Sequence, residues 1–145
     1  MKIRTARGDD FEAVTGLLEA LGRPTVTEET RPDCRAVFEQ QVVDPRCHHT
    51  VAETSDGDIV GFCSMHFRAR LNHPTDEAWI PDLFVREEAR GIGVGRKLME
   101  EQERRARSHG CHQLALESGY QRAEAHMLYR NLKLRDSGKV FYKQL

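Results

Sequence analysis

The sequence predicts a single mixed α/β domain, and three observations carry that expectation. Short alternating segments are interleaved with segments of helical spacing in the order β, α, α, β, β, β, α, β, α, β. The 145 residues suffice to bury one core without metal or disulfide support. A glycine-rich segment, Arg90-Gly91-Ile92-Gly93-Val94-Gly95, stands between a strand and a long charged helix. There, backbone N–H groups line up beside a helix N-terminus and suit an anion. No internal repeat, low-complexity tract or linker divides the chain.

Lys2–Thr5 reads as a strand. Asp9 or Asp10 supplies an N-cap for a helix in which Phe11, Val14, Leu17, Leu18 and Leu21 recur at helical spacing, and Gly22-Arg23-Pro24 ends it. A second helix runs from Pro32 or Asp33 to Val43, with Val37, Phe38 and Val42 inward and Asp44-Pro45 as the stop. Strands at 50–53 and 59–67 flank Ser55-Asp56-Gly57-Asp58, a hairpin signal. The polar stretch Arg68–Asp76 reads as a loop. Trp79–Val85 is the next strand, and Pro81, with no N–H for a ladder, requires an edge or a bulge within it. Helix Val94–Ser108 follows the glycines and ends at Gly110. Gln113–Glu117 is a strand, Arg122–Leu132 a helix, and Lys139–Lys143 a last strand.

Apolar residues at 39% and charged residues at 31% are the proportions of an ordinary soluble globular domain. No apolar run approaches membrane-spanning length and no signal-peptide core follows Met1, so a cytoplasmic protein with no membrane partner is expected. A net charge of −1 argues against nucleic acid as a partner. The basic run Arg104-Arg105-Ala106-Arg107 has Glu100, Glu101 and Glu103 four residues ahead of its arginines, which predicts three i,i+4 pairs on a solvated face. The cysteines Cys34, Cys47, Cys63 and Cys111 are irregularly spaced and read as free thiols. Cys47-His48-His49 and His109-Gly110-Cys111-His112 read as solvated loop or strand edge rather than metal ligands, because adjacent residues rarely aim at one ion. No metal is expected.

The glycine segment fits neither of two common phosphate loops. A dinucleotide fingerprint needs G-x-G-x-x-G after an early strand, but from Gly91 the pattern is G-x-G-x-G and it comes late. A P-loop needs G-x-x-x-x-G-K-[ST], and Gly91 followed by Arg96-Lys97-Leu98 fails it. The stretch Leu83-Phe84-Val85 through Arg90-Gly91-Ile92-Gly93-Val94-Gly95-Arg96 instead resembles the acetyl-CoA loop of the GNAT superfamily of N-acetyltransferases. In that family Arg or Gln, two residues, Gly, one residue, then Gly or Ala follow an L-x-V strand. Arg90, Gly93 and Gly95 match the fixed positions. Ala125-His126-Met127-Leu128-Tyr129-Arg130-Asn131-Leu132 is similar to the family's later A-x-x-[FL]-Y helix, and Phe141-Tyr142-Lys143-Gln144-Leu145 to its closing strand. Lys133-Leu134 depart from the usual Gly-Phe, and Lys133 disfavours the left-handed cap that glycine allows.

The resemblance implies a mixed, mostly antiparallel sheet of about seven strands with about four helices, and direct acetyl transfer from acetyl-CoA to an amine. It implies that the N–H groups from Gly91 to Arg96, including those of Ile92 and Val94, hold the pyrophosphate, with the Arg96 side chain able to assist. It implies that pantetheine lies along Leu83, Phe84 and Val85, where the Leu83 amide or a neighbour polarises the thioester carbonyl. Tyr129 stands where the family protonates the leaving sulfur, and a phenol with an ordinary pKa near ~10 suits that donation. Asp82, on the cofactor strand, is the candidate base, with pairing to a nearby cation as its alternative. Glu77, Glu117, His66 and His73 are weaker candidates, and Cys63 reads as a small buried residue.

The layout most resembles small-molecule acetyltransferases of the aminoalkylphosphonate type. Arg68, Arg70 and Arg122 could meet an acidic acceptor, while Glu77, Asp82 and Glu117 could line a site for a cationic one. A protein amine acceptor and a non-catalytic acyl-CoA-binding module are the alternatives. Many members of the family form homodimers, and no feature of the sequence fixes the oligomeric state.

Overall fold

The computed structural model describes every residue from Met1 to Leu145. Its sheet begins with β1 (Lys2–Thr5), antiparallel to β2 (Thr50–Glu53), which is antiparallel to β3 (Ile59–Cys63). The β2–β3 turn is the expected Asp-Gly hairpin. Gly57 takes φ +91°, and the Asp58 N–H donates to the Thr54 hydroxyl at 3.1 Å.

After β3 the chain continues as β4 (His66–Arg68), and the returning strand is also in two pieces, β5 (Glu77–Ile80) and β6 (Leu83–Val85). Cys63 faces Leu83 and His66 faces Trp79. Ser64 and Met65 therefore stand opposite Ile80, Pro81 and Asp82, a bulge of one residue at the place where Pro81 has no N–H to offer. The expected strands 59–67 and 79–85 are both present, each interrupted at this level. The bulge is clasped by reciprocal bonds. Ser64 N–H donates to the Asp82 carbonyl at 2.9 Å, Asp82 N–H to the Ser64 hydroxyl at 3.1 Å, and that hydroxyl to Asp82 Oδ2 at 3.2 Å.

Here the sheet divides. β6 pairs with β3 alone, at the edge of the order β1-β2-β3-β6. β5 lies between β4 and β7 (Gln113–Leu116), which runs parallel to it and ends at Leu116 opposite Ile80. The outer edge of β6 is left without a strand partner.

Side chains alternate across the sheet with period two. Val51 faces α1 (Phe11–Ala20) and α2 (Arg31–Val43), packing with Phe11, Val14, Phe38 and Phe62. Ala52 faces α3 (Val94–His109), packing with Leu98 and Met99. Gly61 permits the close approach of α3, since a Cβ there would lie 3.1 Å from Leu98 Cδ1. After β7 comes α4 (Ala123–Asn131). No helix is long and apolar enough to cross a membrane.

Several local expectations are corrected. Asp10 is helical in conformation and makes no side-chain cap bond. Its carboxylate accepts the Arg7 N–H at 2.7 Å and both arms of the Arg4 guanidinium, at 2.7 and 2.8 Å. Of the three expected pairs on α3, only Glu103–Arg107 forms, at 2.6 Å. Arg104 turns to Glu101 one step closer along the helix, and Arg105 turns inward to His48. Lys133 takes the left-handed conformation, φ +67°, that glycine usually supplies. Leu134 N–H donates to Tyr129 O at 3.0 Å and Lys133 N–H to Arg130 O at 2.9 Å, so the helix keeps its Schellman ending despite roughly 1–2 kcal/mol of strain. The strand expected at Lys139–Lys143 does not form. Phe141 and Tyr142 are exposed, and an alternating segment with no surface on which to bury its apolar side gains little from pairing.

Gln102 secures α3 to the sheet. Its buried amide nitrogen lies 3.0 Å from the His48 carbonyl, 3.2 Å from Thr50 Oγ1 and 3.0 Å from the Cys63 carbonyl. Gln102→Leu keeps the approximate volume and removes this donor, leaving the Thr50 hydroxyl, at 3.5 Å, as the side-chain donor to the Cys63 carbonyl. A loss of about 2–4 kcal/mol in urea unfolding is expected; a loss below about 1 kcal/mol would mean that the carbonyls find other partners.

Candidate active site

The glycine segment is built as a turn that delivers the chain to α3. Gly91 and Gly93 have φ +76° and +86°, and Gly93 is the N-cap of the helix. None of the backbone N–H groups from Gly91 to Arg96 donates to a protein acceptor. Helix geometry leaves those of the first turn unpaired, and the two left-handed glycines extend the free row outward. No acidic residue occupies the first turn, while Arg96 and Lys97 do. Partial positive charge therefore concentrates at one exposed end of α3.

Each residue singled out in this region can be placed. Arg90 lies over the Phe84 ring, and its Nε donates to the Val85 carbonyl at 3.0 Å, tying the loop to the end of β6. Ile92 is exposed and Val94 is buried beneath the helix start. Gly95 has a packing role besides its free N–H: a Cβ would lie 3.2 Å from Leu128 Cδ2, so its absence seats α4 against the first turn of α3. Arg96 lies 3.9 Å from Glu100. Leu83 and Val85 face the α3 side of the sheet, and Phe84 faces α1.

Tyr129 comes from α4 and packs against the cluster that holds Cys63. Burial pushes its phenol up to about 12, so the hydroxyl keeps its proton at neutral pH. Cys63 is wholly buried and its thiol is also pushed up to about 12 by burial, in keeping with a small unreactive core residue.

Asp82 sits in the bulge, and its Oδ1 accepts from Arg23 Nε at 2.8 Å. Arg23 also donates to the Pro81 carbonyl at 2.9 Å. Glu77 is closed off: its side chain is 2% exposed and bound by Arg68 and Gln113, with Arg70 at 3.7 Å. Burial raises the Glu77 carboxyl, but the bonds from Arg68 and Gln113 outweigh this and hold it below the usual range. Glu117 is exposed just beyond the end of β7, and His73 is stacked on His112 outside the bulge region. Of the arginines expected to meet an acidic acceptor, Arg68 and Arg70 are paired with Glu77 and Arg122 donates to the Leu21 carbonyl.

Two neighbours of Asp82 carry no signal in the sequence. Ser64 and Arg23 meet Asp82 only because the bulge and the end of α1 converge, and no local pattern marks either. The Cys47-His48-His49 segment is also not solvated, since His48 and His49 are buried. Beside it, a cavity of about 340 Å³ opens between Gln41, Asp44, Cys47 and His66. A second cavity, about 570 Å³, lies between α1 and the approach to the glycine turn, bounded by Glu12, Phe84, Arg86 and Arg90.

The sequence profile of the acetyltransferase (GNAT) family matches residues 14–133. The chain belongs to the GNAT family. Among its relatives is the aminoalkylphosphonate N-acetyltransferase of Salmonella typhimurium, 27% identical over 144 residues, covering 99% of this chain and 91% of that one. The aminoglycoside N(6')-acetyltransferase type 1 of Stenotrophomonas maltophilia is 26% identical over 106 residues, 71% of this chain and 69% of that one. The solved structure of an aminoglycoside acetyltransferase, AAC(6')-Iy, with a CoA-linked bisubstrate analogue shares the fold at TM-score 0.82 and 19% identity, over 99% of this chain and 97% of that one. The mixed seven-stranded sheet with four helices is therefore the GNAT fold, with acetyl-CoA as the family's acyl donor.

The Arg23–Asp82 bridge is a half-exposed contact, the arginine side chain being 52% exposed. Arg23→Ala should change unfolding free energy by less than about 1 kcal/mol. A larger loss in denaturant titration would show that the bridge fixes the α1–α2 connection.

Proposed function

We propose that this chain transfers the acetyl group of acetyl-CoA to the primary amine of a small molecule. One observation carries the reading: a row of free N–H groups at the start of α3 lies beside a strand edge that the bulge leaves without a partner. The first suits a pyrophosphate and the second an amide-bearing pantetheine arm. Similarity over 99% of this chain to an aminoalkylphosphonate N-acetyltransferase supports a small aminoalkylphosphonate as the first acceptor to test, and the shorter match to an aminoglycoside acetyltransferase supports an aminoglycoside as the second.

In this reading the N–H groups of Gly91 to Arg96 bind the pyrophosphate, and the Leu83 amide or a neighbour on β6 polarises the thioester carbonyl. Acetyl-CoA supplies the activated acyl group. Asp82 takes the proton that the acceptor ammonium must lose, through Oδ2, which holds only the Ser64 hydroxyl while Oδ1 holds Arg23. Tyr129 delivers a proton to the departing sulfur, a task suited to a phenol that burial keeps protonated.

The test is acceptor-dependent release of free thiol from acetyl-CoA, measured over aminoalkylphosphonates, aminoglycosides, polyamines, amino acids and a lysine peptide. Turnover restricted to the peptide would replace the small-molecule reading. Gly93→Asp puts a carboxylate and an L side chain at φ +86° and should weaken acetyl-CoA binding at least about tenfold, roughly 1.4 kcal/mol; unchanged affinity by calorimetry would remove the loop from the binding site. Tyr129→Phe should lower kcat by about 10²-fold or more with acetyl-CoA affinity nearly unaltered, and an unchanged kcat would remove Tyr129 as the acid.

A further inference from the structure

Three potential metal ligands converge at a place that acetyl transfer does not use. Cys47 precedes β2, His49 adjoins its first residue, and His66 opens β4. An isolated antiparallel bridge between Cys47 and His66 brings the thiol of one and the ring of the other together, with Sγ 3.3 Å from Nδ1. One ligand atom from each of Cys47, His49 and His66 falls within 4.8 Å of the other two. Ligands on a tetrahedral zinc ion, at roughly 2.3 Å for sulfur and 2.0–2.1 Å for nitrogen, are separated by about 3.3–3.6 Å. Cys47 and His66 already have that spacing, and His49 has to close by an ångström or so.

We propose that Cys47, His49 and His66 form a mononuclear site for a thiophilic divalent cation, zinc foremost, with its fourth position open to the cavity beside Gln41 and Asp44. One thiolate and two imidazoles make a donor set suited to zinc, and an open fourth position distinguishes such a site from a closed structural one. The 340 Å³ cavity reaches two of the three ligands, leaving room for water or an oxygen donor. The surroundings hold the ligands in place. His49 stacks on Phe38, and His66 leans on Trp79.

A nucleophilic Cys–His pair is the competing reading of the same contact. That reading uses two of the three side chains, whereas a ligand atom of His49 also falls within 4.8 Å of both. Without metal, Met65 N–H donates to His49 Nδ1 at 3.3 Å and His49 Nε2 gives its proton to Gln41 Oε1 at 2.9 Å. Metal binding through Nε2 exchanges this arrangement. The ring proton passes to Nδ1, the long Met65 contact is given up, and the Cys47 thiol proton leaves to solvent as the sulfur–metal bond forms.

Metal-stripped protein titrated with cobalt(II), in the absence of acetyl-CoA, tests the site apart from any transferase activity. One equivalent of cobalt should produce a thiolate-to-cobalt charge-transfer absorption with intense tetrahedral visible bands, and zinc should abolish both. Cys47→Ser should remove the charge-transfer band. His66→Gln should retain it with affinity lowered about tenfold or more, and Cys34→Ser should leave it unchanged. Circular dichroism establishes that each variant is folded. A folded wild-type protein with no thiolate band, or a band that survives Cys47→Ser, overturns the proposal.

Discussion

The fold turns on the clasp between Ser64 and Asp82. A proline in a central strand forfeits one ladder bond, and the chain accommodates the loss by placing an extra residue opposite Ser64 and Met65. The bonds between Ser64 and Asp82 satisfy the polar groups that the bulge would otherwise orphan. Above it β7 stops, and below it β6 proceeds with β3 as its one strand partner. The open strand edge is a direct consequence of how one proline is absorbed.

In the proposed reaction that edge serves only because α3 starts beside it. Gln102 ties α3 to the carbonyls of His48 and Cys63, the second of which lies next to the clasp. Gly61 and Gly95 let the helix approach β3 and accept α4, so the row of free N–H groups, the edge of β6 and the Tyr129 ring keep one fixed relation. The helix start follows the strand closely while the tyrosine comes from α4, later in the chain, and a single layer of packing sets their geometry.

Much of this was legible in the sequence because its causes are local. The bulge at Pro81, the Asp-Gly hairpin and the glycine turn each follow from backbone chemistry at one or two residues, and the motif spacing around Arg90, Gly93 and Gly95 pointed to the family. What was missed depends on partners remote in sequence. Asp10 holds the N-cap position of α1 but gives its carboxylate to Arg4 and to the Arg7 N–H instead of to the helix. Arg105 abandons its helical neighbour for His48. Lys133 shows that a helix ending can be held by its hydrogen bonds and packing against local preference. His66 joins Cys47 and His49 only through strand register, which no inspection of the Cys-His-His run could anticipate.

The distribution of charge narrows how an anion can be held. Arg4 is committed to Asp10 and Glu53, Arg68 to Glu77, and Arg23 to Asp82. Arg122 spends its guanidinium on the Leu21 carbonyl, joining the start of α4 to the end of α1. A cation already paired with a carboxylate attracts a second anion weakly, because the approaching charge meets a neutral pair and must displace one partner. The backbone row from Gly91 to Arg96 is different, since its donors have no partner to lose. In the proposed reaction the phosphates of a CoA-type ligand therefore fall to the start of α3, while an acidic acceptor that turns to Arg68 or Arg23 has to open an existing bridge. Arg23 is the arginine that such an exchange would, in the proposed reaction, couple to Asp82. It is half exposed and already bound to Asp82, so an acceptor that draws it away would release that carboxylate to take a proton at the moment the amine arrives.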